Sequence, residues 1–110
     1  MGRTALRPPR AVEQALLDWG NAIRTARARR GWRRSDFAAK TGLSESTLQS
    51  VERGAPGVGV GAYVSAMWAL GLLHLLAPLS DSNADVTGLL LDGQRGQARV
   101  RRPEILDDDF

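Results

Sequence analysis

An all-α fold is what these 110 residues predict, and three observations predict it. Apolar residues recur at three- and four-residue intervals through long stretches, the spacing that puts them on one face of a helix. No stretch of useful length alternates apolar and polar residues as a half-buried strand does. Glycines fall where those periodic runs would stop, as at Gly31, Gly42 and Gly54.

The first helix is expected from Arg10 to Arg30, started by Pro8 and Pro9 and carrying Val12, Leu16, Trp19, Ile23 and Ala26 as its apolar stripe. Gly20 and Asn21 are a weak point in it, and Gly31 closes it as a C-terminal cap. A short helix follows over Arg34 to Thr41, then a tight turn at Gly42 and Leu43. Ser44 caps the next helix through the amide of Thr47, Glu45 sits at the positive end of its dipole, and it ends before Gly54.

The chemistry of residues 34–53, RSDFAAKTGLSESTLQSVER, makes these two short helices a crossed pair. Ala38 is small enough for close approach, Gly42 takes a positive φ at little steric cost, and Phe37, Leu43, Leu48 and Val51 share an apolar seam. The second helix of the pair keeps a polar outward face. An arrangement of this kind, a helix-turn-helix, suits insertion into a DNA major groove.

Beyond it, Ala55–Gly59 is a loop, and Val60 to Leu70 is a fourth helix with Val60, Tyr63, Ala66, Met67 and Leu70 inward. Leu72 to Leu79 is a short fifth helix that Pro78 keeps from extending. Asp85 caps a sixth from Val86 to about Arg95. The expected organisation is a disordered basic arm over 1–9, a DNA-binding domain over 10–80, a C-terminal helical segment over 81–98 that supports a dimer, and a flexible acidic tail over 99–110.

Composition narrows the chemistry. Cysteine is absent, which excludes disulfide and thiolate-metal frameworks. His74 is the one histidine and stands in a leucine-rich stretch, so neither a catalytic triad nor a zinc site is available. APGVGVG lacks the lysine that follows a phosphate-binding loop. We therefore expect no enzyme, no cofactor and no metal. The basic N-terminus has no apolar core of a signal peptide, and Leu70 to Leu79 is too short and interrupted to span a bilayer. A cytoplasmic chain is expected.

Charge is uneven. Residues 1–53 carry eleven Lys or Arg against five Asp or Glu, whereas residues 54–110 carry four against seven. The basic half suits a polyanion. Fourteen Arg to one Lys is also what a GC-rich coding sequence produces.

Ile23-Arg24 with Arg27, Phe37-Ala38, Gly42-Leu43-Ser44, Val51-Glu52-Arg53-Gly54 and Ala69-Leu70-Gly71-Leu72 together resemble the Xre-type helix-turn-helix domain. Residues 19–72 as a whole are similar to that family, whose fold is the five-helix one of lambdoid phage repressors and Cro. The fold class implied is a five-helix, lambda-repressor-like helix-turn-helix domain with an extra C-terminal helix and tail. PGVGVGAYVSAMWALGLLHLLAPLSD also resembles HipB-like antitoxins and related regulators often encoded beside a HipA-type kinase toxin.

The resemblance implies roles for individual residues. Arg27 and Glu52 would form a structural ion pair between the first and recognition helices. Arg34 matches a position that donates to a DNA phosphate, with Arg33 beside it and Lys40 and Arg53 as further phosphate contacts. The family commonly has Thr or Ser, then Gln, where this chain has Arg33 and Arg34. Losing the capping hydroxyl weakens the helix start by about 1 kcal/mol, unless Ser35 caps a shortened helix instead. Glu45, Ser46 and Ser50 would face the groove floor and Thr47 and Gln49 its walls. Gln49 suits adenine or a phosphate, and Glu45 either a cytosine amino group or the helix dipole alone.

Trp68, Leu72, Leu73, Leu75, Leu76 and Leu79 exceed what the domain obviously buries. Either a second copy covers them, the sixth helix covers them through Val86, Leu89 and Leu90, or both do. Likewise Asp107–Asp109 with Ile105, Leu106 and Phe110 form either a solvated tail or a segment that folds on a basic partner. Two functions follow: a dimeric DNA-binding repressor, with double-stranded DNA and a toxin as partners if it is an antitoxin, or a protein-binding inhibitor with weak or no DNA binding.

Overall fold

A computed structural model of the chain describes residues 7–98. The expected tail over 99–110 and most of the expected arm over 1–9 lie outside the described residues. Helix α1 spans Arg10–Arg29, α2 Arg34–Thr41, α3 Glu45–Glu52, α4 Val60–Ala69 and α5 Val86–Ala98. Two 3₁₀ stretches, Leu73–Ser80 and Ser82–Ala84, lie between α4 and α5. The described residues are helical or irregular throughout, so the fold is all-α. They divide into two units between Leu75 and Leu76.

In the first unit α3 packs against α1, α2 and α4. Its core is Ile23 and Ala26 from α1, Phe37 from α2, Leu48 and Val51 from α3, and Tyr63, Ala66, Met67 and Leu70 from α4 and its end. Of the expected seam, Phe37, Leu48 and Val51 are fully buried and Leu43 is half-buried, and Ile23 of α1 is fully buried beside them. Trp19 stacks on Tyr63 with ring centroids 4.9 Å apart and a 32° tilt, extending the core along α1.

The α2–α3 turn follows from its residues. Gly42 adopts φ 80°, and its N–H donates to the Ala38 carbonyl at 2.8 Å, closing α2. Thr41 Oγ1 then accepts from the Leu43 N–H at 3.1 Å. The Ser44 hydroxyl accepts from the Thr47 amide at 3.0 Å and so caps α3.

Several expectations fail for local reasons. Helix α1 runs without interruption through Gly20 and Asn21, which are no weak point. A Cβ on Gly20 would lie 2.5 Å from the Val51 carbonyl oxygen and 2.7 Å from the Gly54 nitrogen. A Cβ on Gly54, where φ is 72°, would lie 2.5 Å from the Leu16 carbonyl oxygen. The two glycines let the backbone of α1 touch the end of α3, a contact no side chain would permit.

Val12 and Val60 are exposed rather than inward, each lying in the first turn of its helix before the stripe reaches the core. Ser35 does not shorten α2: the helix begins at Arg34, and the Asp36 carboxylate accepts from the Arg33 N–H at 2.8 Å. The expected helix over Leu72 to Leu79 is instead a 3₁₀ stretch, Leu73–Ser80, with Pro78 inside it. Helix α5 continues past Arg95 to Ala98, since glycine there weakens a helix without removing its backbone donors. The Asp85 carboxylate accepts from the Gly88 N–H at 2.9 Å at the start of α5. In the second unit Leu79, Val86, Leu89, Leu90 and Leu91 are exposed and Leu76 is half-buried.

Gly20→Ala is expected to destabilise by about 1–3 kcal/mol in urea unfolding, because overpacking outweighs the gain in helix propensity. Asn21→Ala, at the adjacent exposed position, should stabilise by about 0.5 kcal/mol. A more stable Gly20→Ala protein contradicts the backbone contact.

Candidate nucleic-acid interface

Helix α3 is split lengthwise by burial. Leu48, Val51 and Glu52 face inward, whereas Glu45, Ser46 and Gln49 are exposed. Thr47 and Ser50 are half-buried at the margins. The Ser44 hydroxyl donates to Thr47 Oγ1 at 2.9 Å, which holds the Thr47 side chain at the helix start. Arg53, exposed, closes α3, its N–H donating to the Gln49 and Ser50 carbonyls at 3.1 and 3.2 Å.

Beneath this face lies a charge cluster. Arg27 Nε donates to Glu52 Oε2 at 2.6 Å, and Nη2 donates to Oε1 at 2.9 Å, a two-pronged fork. The third donor used, Nη1, reaches the Trp32 carbonyl at 2.9 Å. The Glu52 side chain is 2% exposed and that of Arg27 is 14% exposed. The hydrogen bond to Glu52, with the carboxylate charge behind it, raises the Arg27 pKa although burial opposes this. Arg27 and Glu52 lie 25 residues apart and join α1 to the end of α3.

The four phosphate candidates occupy different settings. Arg34, the first residue of α2, brings Nε and Nη2 to 3.5 Å from Glu52 Oε1, so this residue is partly engaged inside the domain. Arg33, largely exposed, lies 3.7 Å from the Asp36 carboxylate. Lys40 places its ammonium 4.7 Å from the Trp32 ring centroid, and that ring tilts against Phe37 at 6.0 Å. Arg53 forms no ion pair among the described residues and lines a groove of about 420 Å³ with Glu13, Leu17, Gly54, Ala55 and Pro56.

Sequence reasoning missed the residues that brace this face. Tyr63 on α4 donates its hydroxyl to the Ala55 carbonyl at 2.8 Å, pinning the loop that follows α3. Burial pushes the Tyr63 hydroxyl above its ordinary pKa. Arg30 donates to the Ala26 carbonyl and to the Leu70 carbonyl, each at 2.9 Å, tying the end of α1 to the end of α4. The signal available was weak: glycine inside a strongly periodic helix, as at Gly20, points to a packing reason, whereas nothing local marks Arg30.

Of the interface candidates near the other end of the first unit, Trp68 is 59% exposed and Leu73 and Leu75 are exposed, while Leu72 is half-buried. In the second unit Leu76 is half-buried and Leu79 is 79% exposed. Among the described residues no group of His, Asp and Glu is placed to hold a metal ion. No described helix is long and apolar enough to cross a membrane.

Comparison with protein families matches residues 19–78 to the one described as a helix-turn-helix domain. No curated protein and no solved structure matches the chain.

Arg27→Ala should cost roughly 3–5 kcal/mol in urea unfolding, because it leaves Glu52 charged and buried without its fork. Arg34→Ala should cost under about 1 kcal/mol, its ion pair being long and partly solvated. Equal losses would show that the two arginines share the carboxylate evenly.

Alkaline titration should destabilise the fold through Tyr63. Its raised folded pKa means that its contribution is complete below about pH 10 and is lost as pH rises through the folded value. Tyr63→Phe should lose about 1 kcal/mol at neutral pH through the missing Ala55 hydrogen bond and be less sensitive to alkali. An unchanged alkaline profile excludes Tyr63 as its source.

Proposed function

The chain belongs to the helix-turn-helix domain family, and on that premise we propose that it is a sequence-specific DNA-binding transcriptional regulator, acting as a dimeric repressor of the Xre/Cro type. The observation that carries the reading is the lengthwise split of α3: a fully buried seam of Leu48 and Val51 behind an exposed row of Glu45, Ser46 and Gln49. A helix held rigidly from behind and bare in front is what a major groove about 12 Å wide accepts.

In this reading residues 10–80 are the DNA-binding domain. Glu45, Ser46, Thr47, Gln49 and Ser50 approach base edges, and Arg33, Arg34, Lys40 and Arg53 neutralise phosphates. Phosphate contacts supply most of the affinity and its salt dependence, while base contacts choose the sequence. The reading side chains are short and uncharged apart from Glu45. Modest specificity from one copy follows, each good two-pronged base contact being worth about 1–3 kcal/mol.

Two copies reading half-sites one helical turn apart would double the discrimination. Exposed Trp68, Leu73 and Leu79, with half-buried Leu72 and Leu76, support a second copy as the partner, and residues 81–98 would support that dimer. Similarity of residues 56–81 to HipB-like antitoxins carries the further reading of an antitoxin that represses its own operon from the cytoplasm. The same exposed apolar residues favour a second reading, a protein-binding inhibitor with weak or no DNA binding. Co-purification with the product of the adjacent gene, with and without residues 103–110, tests the toxin partnership; no complex in either case ends it.

A mobility-shift titration on the duplex upstream of the chain's own gene, at several salt concentrations, tests DNA binding. Arg34→Ala should weaken binding to every duplex and reduce the slope of log affinity against log salt by about 1. Ser46→Ala should act mainly on the preferred duplex. No shift with any duplex at low salt overturns the reading.

A further inference from the structure

The Glu52 carboxylate faces two guanidinium groups, and they do not share it equally. Arg27 takes both oxygens at 2.6 and 2.9 Å. Arg34 reaches only Oε1, with Nε and Nη2 each 3.5 Å away. Two positive charges on one negative charge leave the cluster with one in excess, and it resides on Arg34. That side chain is 38% exposed, whereas Arg27 is nearly enclosed.

The edge by which Arg34 meets Glu52 matters. A guanidinium has a side edge, Nε with one Nη, and an end edge formed by the two Nη groups. Here the side edge faces the carboxylate, and Nε is buried with no hydrogen-bond partner. The end edge is therefore the fork left for an outside anion. A planar fork drawn to a carboxylate by one edge presents the other in a preferred direction, which a lysine ammonium cannot do.

We propose that Glu52 is a positioning residue for DNA binding: it holds the side edge of Arg34 so that the end edge meets a phosphate oxygen pair. This rests on the DNA-binding reading above and adds a second task to a carboxylate that already locks Arg27. The contact at 3.5 Å is loose enough to orient Arg34 without neutralising it. The arginine thus arrives at the phosphate with its charge available and less of its rotamer freedom left to lose.

A double-mutant cycle in DNA affinity tests it, with Glu52→Gln and Arg34→Gln made singly and together and the duplex affinity of each protein measured at one salt concentration. Removing a negative charge near DNA has a general electrostatic effect that is present in both backgrounds and cancels in the cycle. The affinity lost on Glu52→Gln should be on the order of tenfold greater with Arg34 present than with Gln at that position. A ratio of one, or a smaller loss with Arg34 present, overturns the positioning role while leaving DNA binding intact. Failure of the unmutated protein to bind any duplex overturns the DNA-binding reading instead.

If Glu52→Gln does not fold, the Arg34 Nε–H resonance of the unmutated protein decides the matter. It should exchange slowly with water in the free protein and stay slow on adding duplex, while the Nη signals shift. Fast exchange of that proton in the free protein overturns the tether.

Discussion

The backbone of α1 meets the end of α3 at Gly20 and Gly54, and the remainder of the first unit is arranged around that contact. A Cβ at either position would sit about 2.5 Å from a carbonyl oxygen of the opposite segment. With none there, the two helices come close enough for Arg27, seven residues beyond Gly20, to lay its fork on Glu52, two residues before Gly54. The ion pair is a consequence of the approach as much as a cause of it. A buried carboxylate is tolerable only where a donor set is already in place, and the glycine contact puts one there.

The same approach explains why α3 presents one face only. Its inner side is occupied by three neighbours at once: α1 at the glycine contact, α2 through the Gly42 turn, and α4 through Tyr63 and the Ala55 carbonyl. An eight-residue helix has no independent stability in water. The backbone beneath its outward row of Glu45, Ser46 and Gln49 is held in place because the opposite row is packed. Among the described residues no side-chain hydrogen bond or ion pair engages Glu45, Ser46 or Gln49, whereas Thr47 is tied to the Ser44 cap.

The candidate phosphate residues differ in how much freedom they retain. Lys40 leans on Trp32 and Arg34 on Glu52, while Arg33 reaches a half-exposed aspartate and Arg53 has no ion-pair partner among the described residues. The Arg33 contact lies at the surface and is weak and exchangeable, whereas that of Arg34 reaches a buried carboxylate. They set the direction of a side chain more than they consume its charge. The exposed apolar residues of the second unit are a separate matter: three successive leucines on α5, Leu89–Leu91, point to more than one side of a helix and are all exposed.

What the sequence determined by itself is local. Helical spacing placed Ile23, Phe37, Leu48 and Val51 inward, and Gly42 and Ser44 marked the turn between α2 and α3, because periodicity and caps depend on residues within one or two turns. The Arg27–Glu52 pair was legible only through likeness to a family, since nothing in 25 residues of separation announces a contact. Tertiary structure alone decided the use of Gly20, read from sequence as a weakness, and the second arginine on Glu52. It also decided the Arg30 tie to Leu70, the outward placement of Val12 and Val60, and the exposure of Leu79 and Leu90. The glycine contact and the arginine ties depend on how far one backbone stands from another, and that distance is a property of the packed helices rather than of any one segment.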